Sequence, residues 1–140
     1  KSNINLRMNR QYNDPIFVIA DEERIQQVII NLIINSLKYG VERGITEVSI
    51  ETFDKNKILI RISDNGEGIE EEHLPRLFER FYRVEKTRNR KLGGSGLGLS
   101  IVKHIIDAHN EKIFVESRTG IGSEFSFTLK CVKENGVNEI

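Results

Sequence analysis

The spacing of apolar residues along this chain changes between two periods. Residues 46–53 and 58–63 alternate apolar and polar side chains, as a strand with one buried face does, and the four residues between them read as a hairpin turn. Residues 4–8 and 16–19 read as two further strands, parted by the turn signal Asn13-Asp14-Pro15. Residues 113–117 and 124–129 form a closing pair joined through Gly120-Ile121-Gly122. Helical spacing starts after Asp21, a good N-cap. It runs to about Tyr39 with Glu22 and Glu23 where the helix dipole favours acids, and Gly40 is the stop signal. A short helix is expected over 70–78 and another over 97–109, with a basic, Gly-ended loop over 82–96 between them. Strands and helices interleave irregularly, so the expected class is α+β: one sheet covered on one face by helices. The domain is expected to span residues 1–130, with 131–140 as a flexible tail.

The first helix departs from a simple amphipathic pattern. Ile25, Val28, Ile29, Ile30, Leu32, Ile33, Ile34 and Leu37 make it apolar almost all round, which predicts a largely buried helix. Arg24, Gln27, Asn31, Asn35 and Lys38 nevertheless recur at steps of three and four. At about 100° per residue they share one stripe roughly 80° wide, flanked by Tyr39. Carboxamides and an ammonium beside a buried helix cost free energy unless partnered. Two readings stay open: Asn31 and Asn35 tie the helix to a neighbouring loop, or carboxamide oxygen meets a hard cation such as Mg²⁺ while Lys38 meets phosphate.

Two Gly-rich segments add chemistry. Asp64-Asn65-Gly66-Glu67-Gly68-Ile69 directly follows a strand. It is either an Asn-Gly turn or a pocket in which the Asp accepts a hydrogen bond from an exocyclic amine. The second case prefers adenine, because guanine presents a carbonyl oxygen at that place. Gly93-Gly94-Ser95-Gly96-Leu97-Gly98-Leu99 opens a helix, where freed backbone N–H groups can cradle an anion. No Gly-Lys-Ser/Thr follows and no strand precedes, so neither the P-loop nor the dinucleotide fingerprint applies. Arg83, Lys86, Arg88, Arg90 and Lys91 just upstream read as a solvated basic loop or as a lid over phosphates.

Composition narrows the remaining classes. In 140 residues, 21 Lys+Arg balance 21 Asp+Glu, so no global basic field argues for nucleic-acid binding. No apolar run has the length of a membrane span, and no signal-peptide pattern is visible. Cys131 stands alone, which excludes an intrachain disulfide and favours a reducing compartment. The chain starts at Lys1 and its only Met is Met8, so it is expected to be a fragment of something longer.

The order of these segments resembles one family. Asn31-Leu-Ile-Ile-Asn35-Ser-Leu-Lys38-Tyr39 resembles the N box of sensor histidine kinase catalytic domains, and residues 64–69 the G1 box. Phe78-Glu79-Arg80-Phe81-Tyr82-Arg83 resembles the F box, residues 94–99 the G2 box, and Gly120-Ile-Gly122-Ser123 the closing G3 turn. The wider superfamily holds the ATPases of gyrase, Hsp90 and MutL. The resemblance implies the Bergerat ATP-binding fold, a two-layer α/β sandwich with a mixed sheet of about five strands covered on one face by three main helices.

It also implies roles. Asn35 would coordinate Mg²⁺ with Asn31 beside it, and Lys38 and Tyr39 would contact the phosphates and nearby nucleotide. Asp64 would hold the adenine amino group, with Gly66, Gly68 and Ile69 shaping the base pocket and Ser123 supporting it. Tyr82 and Arg83 would lie against the nucleotide at the lid's start. Gly94, Gly96, Leu97, Gly98 and Leu99 would offer backbone amides to the triphosphate. Asn35, Lys38 and Arg83 would carry transfer itself. Where water-activating relatives carry a Glu general base, this chain has Asn31, and a carboxamide is essentially non-basic near neutral pH. The acceptor implied is therefore a histidine on a separate dimeric helical hairpin, whose signature is absent here. His73, His104 and His109 read as surface or capping residues. Ser36 stands where Ala is common, and His109-Asn110-Glu111 replaces a Gly-rich turn.

The implied whole is a homodimeric, membrane-anchored bacterial sensor kinase with a cytoplasmic catalytic domain, passing phosphate to a response regulator. The fragment is expected to be a monomer with ATP and Mg²⁺ as cofactors and no nucleic-acid partner. Two other readings share these residues. A serine kinase of the anti-sigma type is opposed by the long basic lid. A docking switch without transfer activity is opposed by the intact Asn35, Asp64 and G2 glycines.

Overall fold

The computed structural model describes residues 4–82 and 97–132. Its elements in chain order are β1 (Asn5–Met8), β2 (Val18–Ile19), α1 (Glu22–Lys38), β3 (Ile45–Asp54), β4 (Lys57–Asp64) and a 3₁₀ helix, η1 (Glu71–Arg76). After the undescribed stretch come α2 (Gly98–Ala108), β5 (Ile113–Arg118) and β6 (Gly122–Cys131). The sheet runs β1-β3-β4-β6, and β6's far edge carries both β5 and the two-residue β2. Among the described residues β1 and β3 pair in parallel and the other pairs are antiparallel, so the sheet is mixed. Five strands of four or more residues and three helices in two layers make the α+β sandwich that the sequence predicts.

The core lies between the helices and one face of the sheet. Ile58, Ile60 and Ile62 of β4 stand directly opposite Leu129, Phe127 and Phe125 of β6, forming three cross-strand apolar pairs. Ile25, Val28 and Leu32 of α1 and Val102, Ile105 and Ile106 of α2 close over them. Alternation with period two puts the polar partners of these strands on the uncovered face.

The prediction of a largely buried first helix is corrected. Only the stripe Ile25, Val28, Leu32 and Ser36 is buried, while Ile30 and Ile34 are 54% and 53% exposed on the opposite side. A two-layer fold covers one side of a helix, and among the described residues no third layer reaches the other. The N-terminal signals hold: Asp21 accepts from the Arg24 N–H at 3.3 Å, with Glu22 and Glu23 in the first turn. The expected strand over 16–19 shrinks to Val18–Ile19. At the other end β6 continues past residue 130: buried Cys131 pairs with Val18, and Val132 donates to the Phe17 carbonyl. Residues 133–140, the rest of the expected tail, lie outside the described residues.

The turn His109-Asn110-Glu111 joins α2 to β5 by side-chain chemistry. Asn110 takes a left-handed φ of 59°, which Asn tolerates better than most side chains. His109 places Nδ1 2.9 Å from the Ile105 carbonyl, and its Nε2 accepts from the Asp21 N–H at 3.1 Å, linking the end of α2 to the cap of α1. The buried Glu111 carboxylate accepts from Lys57 Nζ at 2.9 Å and from the Thr128 hydroxyl at 2.6 Å. Glu111→Ala strands that hydroxyl and unpairs the ammonium, so it is expected to cost about 2–3 kcal/mol of stability in urea unfolding. A loss below about 0.5 kcal/mol would mean that solvent replaces the carboxylate, as it does for surface pairs.

Candidate functional site

The site forms where the end of β4, the polar side of α1 and the start of α2 meet. β4 runs straight into the loop Asn65-Gly66-Glu67-Gly68, and three anchors hold that loop. Asn65 Oδ1 accepts from the Ile45 N–H at 2.7 Å, and the Glu67 N–H donates to the Tyr39 carbonyl at 3.3 Å. The Glu67 carbonyl in turn accepts from the Gly120 N–H at 2.7 Å, across to the β5–β6 hairpin. Gly66 packs so close to the Tyr39 carbonyl that a Cβ would sit 2.5 Å from its oxygen. The loop is therefore clamped between the end of α1 and the β5–β6 turn.

Asp64 lies at the head of this loop, facing the covered side of the sheet. Its strand neighbours are Thr46 on one side and Ser123 on the other. Burial pushes its carboxyl above the ordinary Asp range. Hydrogen bonds from the backbone N–H groups of Gly66 and Ser123 and from the Ser36 hydroxyl pull the other way. The result is a partly desolvated acceptor held in a defined orientation.

Ile69 leaves the loop into the core, and its N–H donates to Ser117 Oγ at 2.7 Å. Ser117 also donates to the Gly122 carbonyl and meets Ser123 Oγ at 2.8 Å. One hydroxyl thus ties the loop after β4 to the turn that carries Ser123.

The polar stripe of α1 faces the start of α2. Asn31 Nδ2 donates to the Gly98 carbonyl at 3.3 Å, which realises the tying role open in the sequence. Asn35 is half-buried one turn on, and its carboxamide makes no hydrogen bond among the described residues. Lys38 places Nζ 5.5 Å from the Tyr39 ring centroid. Leu97 is the N-cap of α2 and supplies no side-chain cap, so nothing from that side chain occupies the amides of the first turn. A Cβ on Gly98 would meet nothing within 4 Å, so the fold itself does not require that glycine. Leu99 packs partly buried against the core. Among the described residues, the Asn35 carboxamide has no partner and the space at Gly98 is open, and both fit a cation-bound polyanion: Asn35 has the donor type for a hard ion, and a helix start suits an anion.

The other expected site residues divide. Asp64, Gly66, Gly68, Ile69 and Ser123 come together around the loop after β4; Asn31, Asn35, Lys38, Tyr39, Leu97, Gly98 and Leu99 line the facing helices. Tyr82 packs on η1, its hydroxyl on His73 Nδ1 and its ring under Arg76. Arg83, Gly94 and Gly96 lie outside the described residues. His73 is flanked by Glu70 and Glu72, and His104 is exposed on α2. Sequence reasoning missed Ser36, Thr46 and Ser117 as parts of the site. The available signal was a hydroxyl at an inward position of an otherwise apolar stripe or strand.

Comparisons with known proteins identify the family and the fold. Residues 20–133 match the family model described as "Histidine kinase-, DNA gyrase B-, and HSP90-like ATPase". The sensor histidine kinase WalK of Bacillus subtilis is 42% identical over 120 residues, covering 85% of this chain and 20% of the relative. YkoH, a sensor histidine kinase of the same organism, is 46% identical over 123 residues, covering 88% of this chain and 26% of the relative. The chain therefore spans a fifth to a quarter of the length of these relatives. Among solved structures, the catalytic domain of the histidine kinase ThkA in a nucleotide-free form superposes with a TM-score of 0.73 at 31% identity, covering 92% of this chain and 81% of that one. Full-length ShkA in complex with AMPPNP superposes with a TM-score of 0.79 at 25% identity, covering 94% of this chain and 27% of that one. Among the described residues no helix is long and apolar enough to cross a membrane.

Proposed function

The chain belongs to the histidine kinase-, DNA gyrase B- and HSP90-like ATPase family, and on that premise we propose that it is the ATP-binding catalytic domain of a sensor histidine kinase. It binds Mg²⁺-ATP and donates the γ-phosphoryl to a histidine on a separate dimerisation and phosphoacceptor hairpin. The observation that carries this reading is Asp64: a partly desolvated carboxylate at the head of the Gly-rich loop after β4, held by the Gly66 N–H at 2.9 Å. The likeness to ShkA, whose solved structure is a complex with AMPPNP, supports nucleotide binding by this domain.

Each group then has a role. Asp64 accepts the 6-amino group of adenine and disfavours guanine. Asn35 would hold the Mg²⁺, which neutralises triphosphate charge. Lys38 lies along the same stripe to meet the phosphates, and the start of α2 at Gly98 and Leu99 receives them. Asn31 uses its N–H on Gly98 and cannot take a proton from water, so the nucleophile is the imidazole of the hairpin histidine. A P–N bond forms on that histidine as the bond to the leaving ADP oxygen breaks, and catalysis is mainly positioning and charge neutralisation. Arg83, outside the described residues, would add a cation to the phosphates, while Tyr82 is held on η1 by His73 and Arg76. The whole protein would be a homodimeric, membrane-anchored sensor kinase that passes phosphate to a response regulator.

Calorimetric titration with ATP, ADP and GTP, with and without Mg²⁺, tests the binding half. Adenine-selective, Mg²⁺-sensitive binding with little turnover is expected, followed by phosphotransfer once a hairpin is supplied. Equal affinity for GTP, or rapid ATP hydrolysis without an acceptor, would overturn the reading. Asn35→Ala is expected to abolish most of the Mg²⁺ enhancement of ATP affinity, on the order of tenfold, while leaving adenosine binding unchanged. A retained enhancement would move the metal site elsewhere.

A further inference from the structure

Asp64 shares its buried corner with two hydroxyls. Ser36 is on the core-facing stripe of α1, and Thr46 is fully buried at the start of β3. Thr46 is the direct partner of Asp64 in the antiparallel β3–β4 pair, so both side chains point to the helix-covered face. Ser36 Oγ and Thr46 Oγ1 are 2.6 Å apart, and the Ser36 hydroxyl is one of the groups that pull the Asp64 pKa down against burial.

The direction of this chain follows from donor counting. An ionised carboxylate only accepts, so the single proton of Ser36 goes to Asp64. The Ser36 oxygen is then left to accept from Thr46. Bonds in series at low dielectric polarise one another, so Thr46 strengthens what Ser36 donates. Neither hydroxyl caps a helix or closes a turn. Desolvating them costs free energy unless they are bonded, and the chain they form ends on Asp64.

We propose that Ser36, backed by Thr46, is a positioning residue for base recognition: it fixes the orientation of the Asp64 carboxylate and thereby sets selectivity for a purine bearing a 6-amino group. This rests on the reading that Asp64 receives the adenine amine. Ser36 itself touches no substrate in this scheme. Its effect passes through Asp64.

The test pairs protein variants with a nucleotide that lacks the amine. Wild type, Ser36→Ala, Ser36→Cys and Ser36→Thr are titrated with ATP and with purine riboside triphosphate, which carries hydrogen at position 6. Ser36→Ala is expected to lose about tenfold in ATP affinity, the scale of one hydrogen bond to a charged group, and less than twofold for the analogue. Ser36→Thr restores the hydroxyl and should recover most of the ATP affinity. Should Ser36→Ala not fold, Ser36→Cys keeps the volume with a weak donor and is expected to show the same one-sided loss.

Equal losses for both nucleotides would reduce Ser36 to a packing role and overturn the proposal. So would an Ser36→Ala affinity for ATP equal to wild type. A wild-type protein that does not prefer ATP over the analogue would instead overturn the adenine reading of Asp64, and this inference with it.

Discussion

Replacing Asp64 with Asn is expected to weaken ATP binding by about 100-fold or more, the largest loss of any single side-chain change at the site. Two backbone N–H groups and a hydroxyl already donate to this carboxylate, and the adenine amine is a further donor. Two carboxylate oxygens can accept all of them. Asn offers one oxygen and an NH₂, so whichever way it turns it sets a donor against a donor. Titration calorimetry of Asp64→Asn with ATP checks this, and unchanged affinity would mean the base is read elsewhere.

The same carboxylate makes a pH prediction. Burial is the largest influence on it and raises its pKa above the unfolded value, so the folded protein holds this proton more tightly than the unfolded chain does. Its contribution to stability is therefore fully present below the unfolded pKa and is lost as pH rises through the raised folded value. Nucleotide affinity runs the opposite way, because protonation converts one acceptor oxygen into a donor facing the amine. ATP affinity should accordingly fall on acidification at a pH above the ordinary Asp range, and Asp64→Asn should abolish that limb. A wild-type acid limb at the ordinary Asp value would show that the influences of Gly66, Ser123 and Ser36 offset burial completely.

Gly68→Ala is expected to be among the most damaging glycine substitutions. Gly68 has a φ of 80°, and a Cβ there would sit 2.1 Å from the Arg118 carbonyl oxygen and 2.6 Å from its carbon. Left-handed strain and a collision with rigid backbone add together, so a cost of about 3 kcal/mol or more is expected. Any relaxation would separate the loop from the β5–β6 hairpin and break the Gly120 to Glu67 bond. Thermal unfolding should show a large fall in midpoint, with ATP binding lost at temperatures where the variant is still folded. Gly98→Ala is the informative contrast. Its Cβ meets nothing, so stability should hold within about 0.5 kcal/mol while triphosphate binding falls. Equal stability losses in the two variants would contradict both accounts.

Much of the candidate site is legible in the sequence. Asp64, Gly66, Gly68 and Ile69 are consecutive or nearly so, and a motif that bends one loop is written locally. The stripe Asn31, Asn35 and Lys38 follows from helical geometry alone. Less legible were Ser36, Thr46 and Ser117, because each reads as an ordinary polar residue until its partner is known. Ser36 meets Thr46 ten residues away, and Ser117 meets Ile69 across 48. Tyr82 was equally opaque: its place on η1 depends on His73 and Arg76, which a linear motif does not relate to it.

By itself, then, the sequence determined the periods of strand and helix, the caps of α1 and the order of the segments that carry chemistry, since each depends on neighbours within one turn or one hairpin. Only the tertiary structure decided which side of α1 is buried, because an almost uniformly apolar helix has no local preference and two layers cover one side alone. It likewise decided the sheet register, which sets Thr46 and Ser123 on either side of Asp64. The β3–β4 half of that register follows from a hairpin, but the β4–β6 half joins Asp64 to Ser123 across 59 residues, where one step of slippage would turn every side chain to the other face.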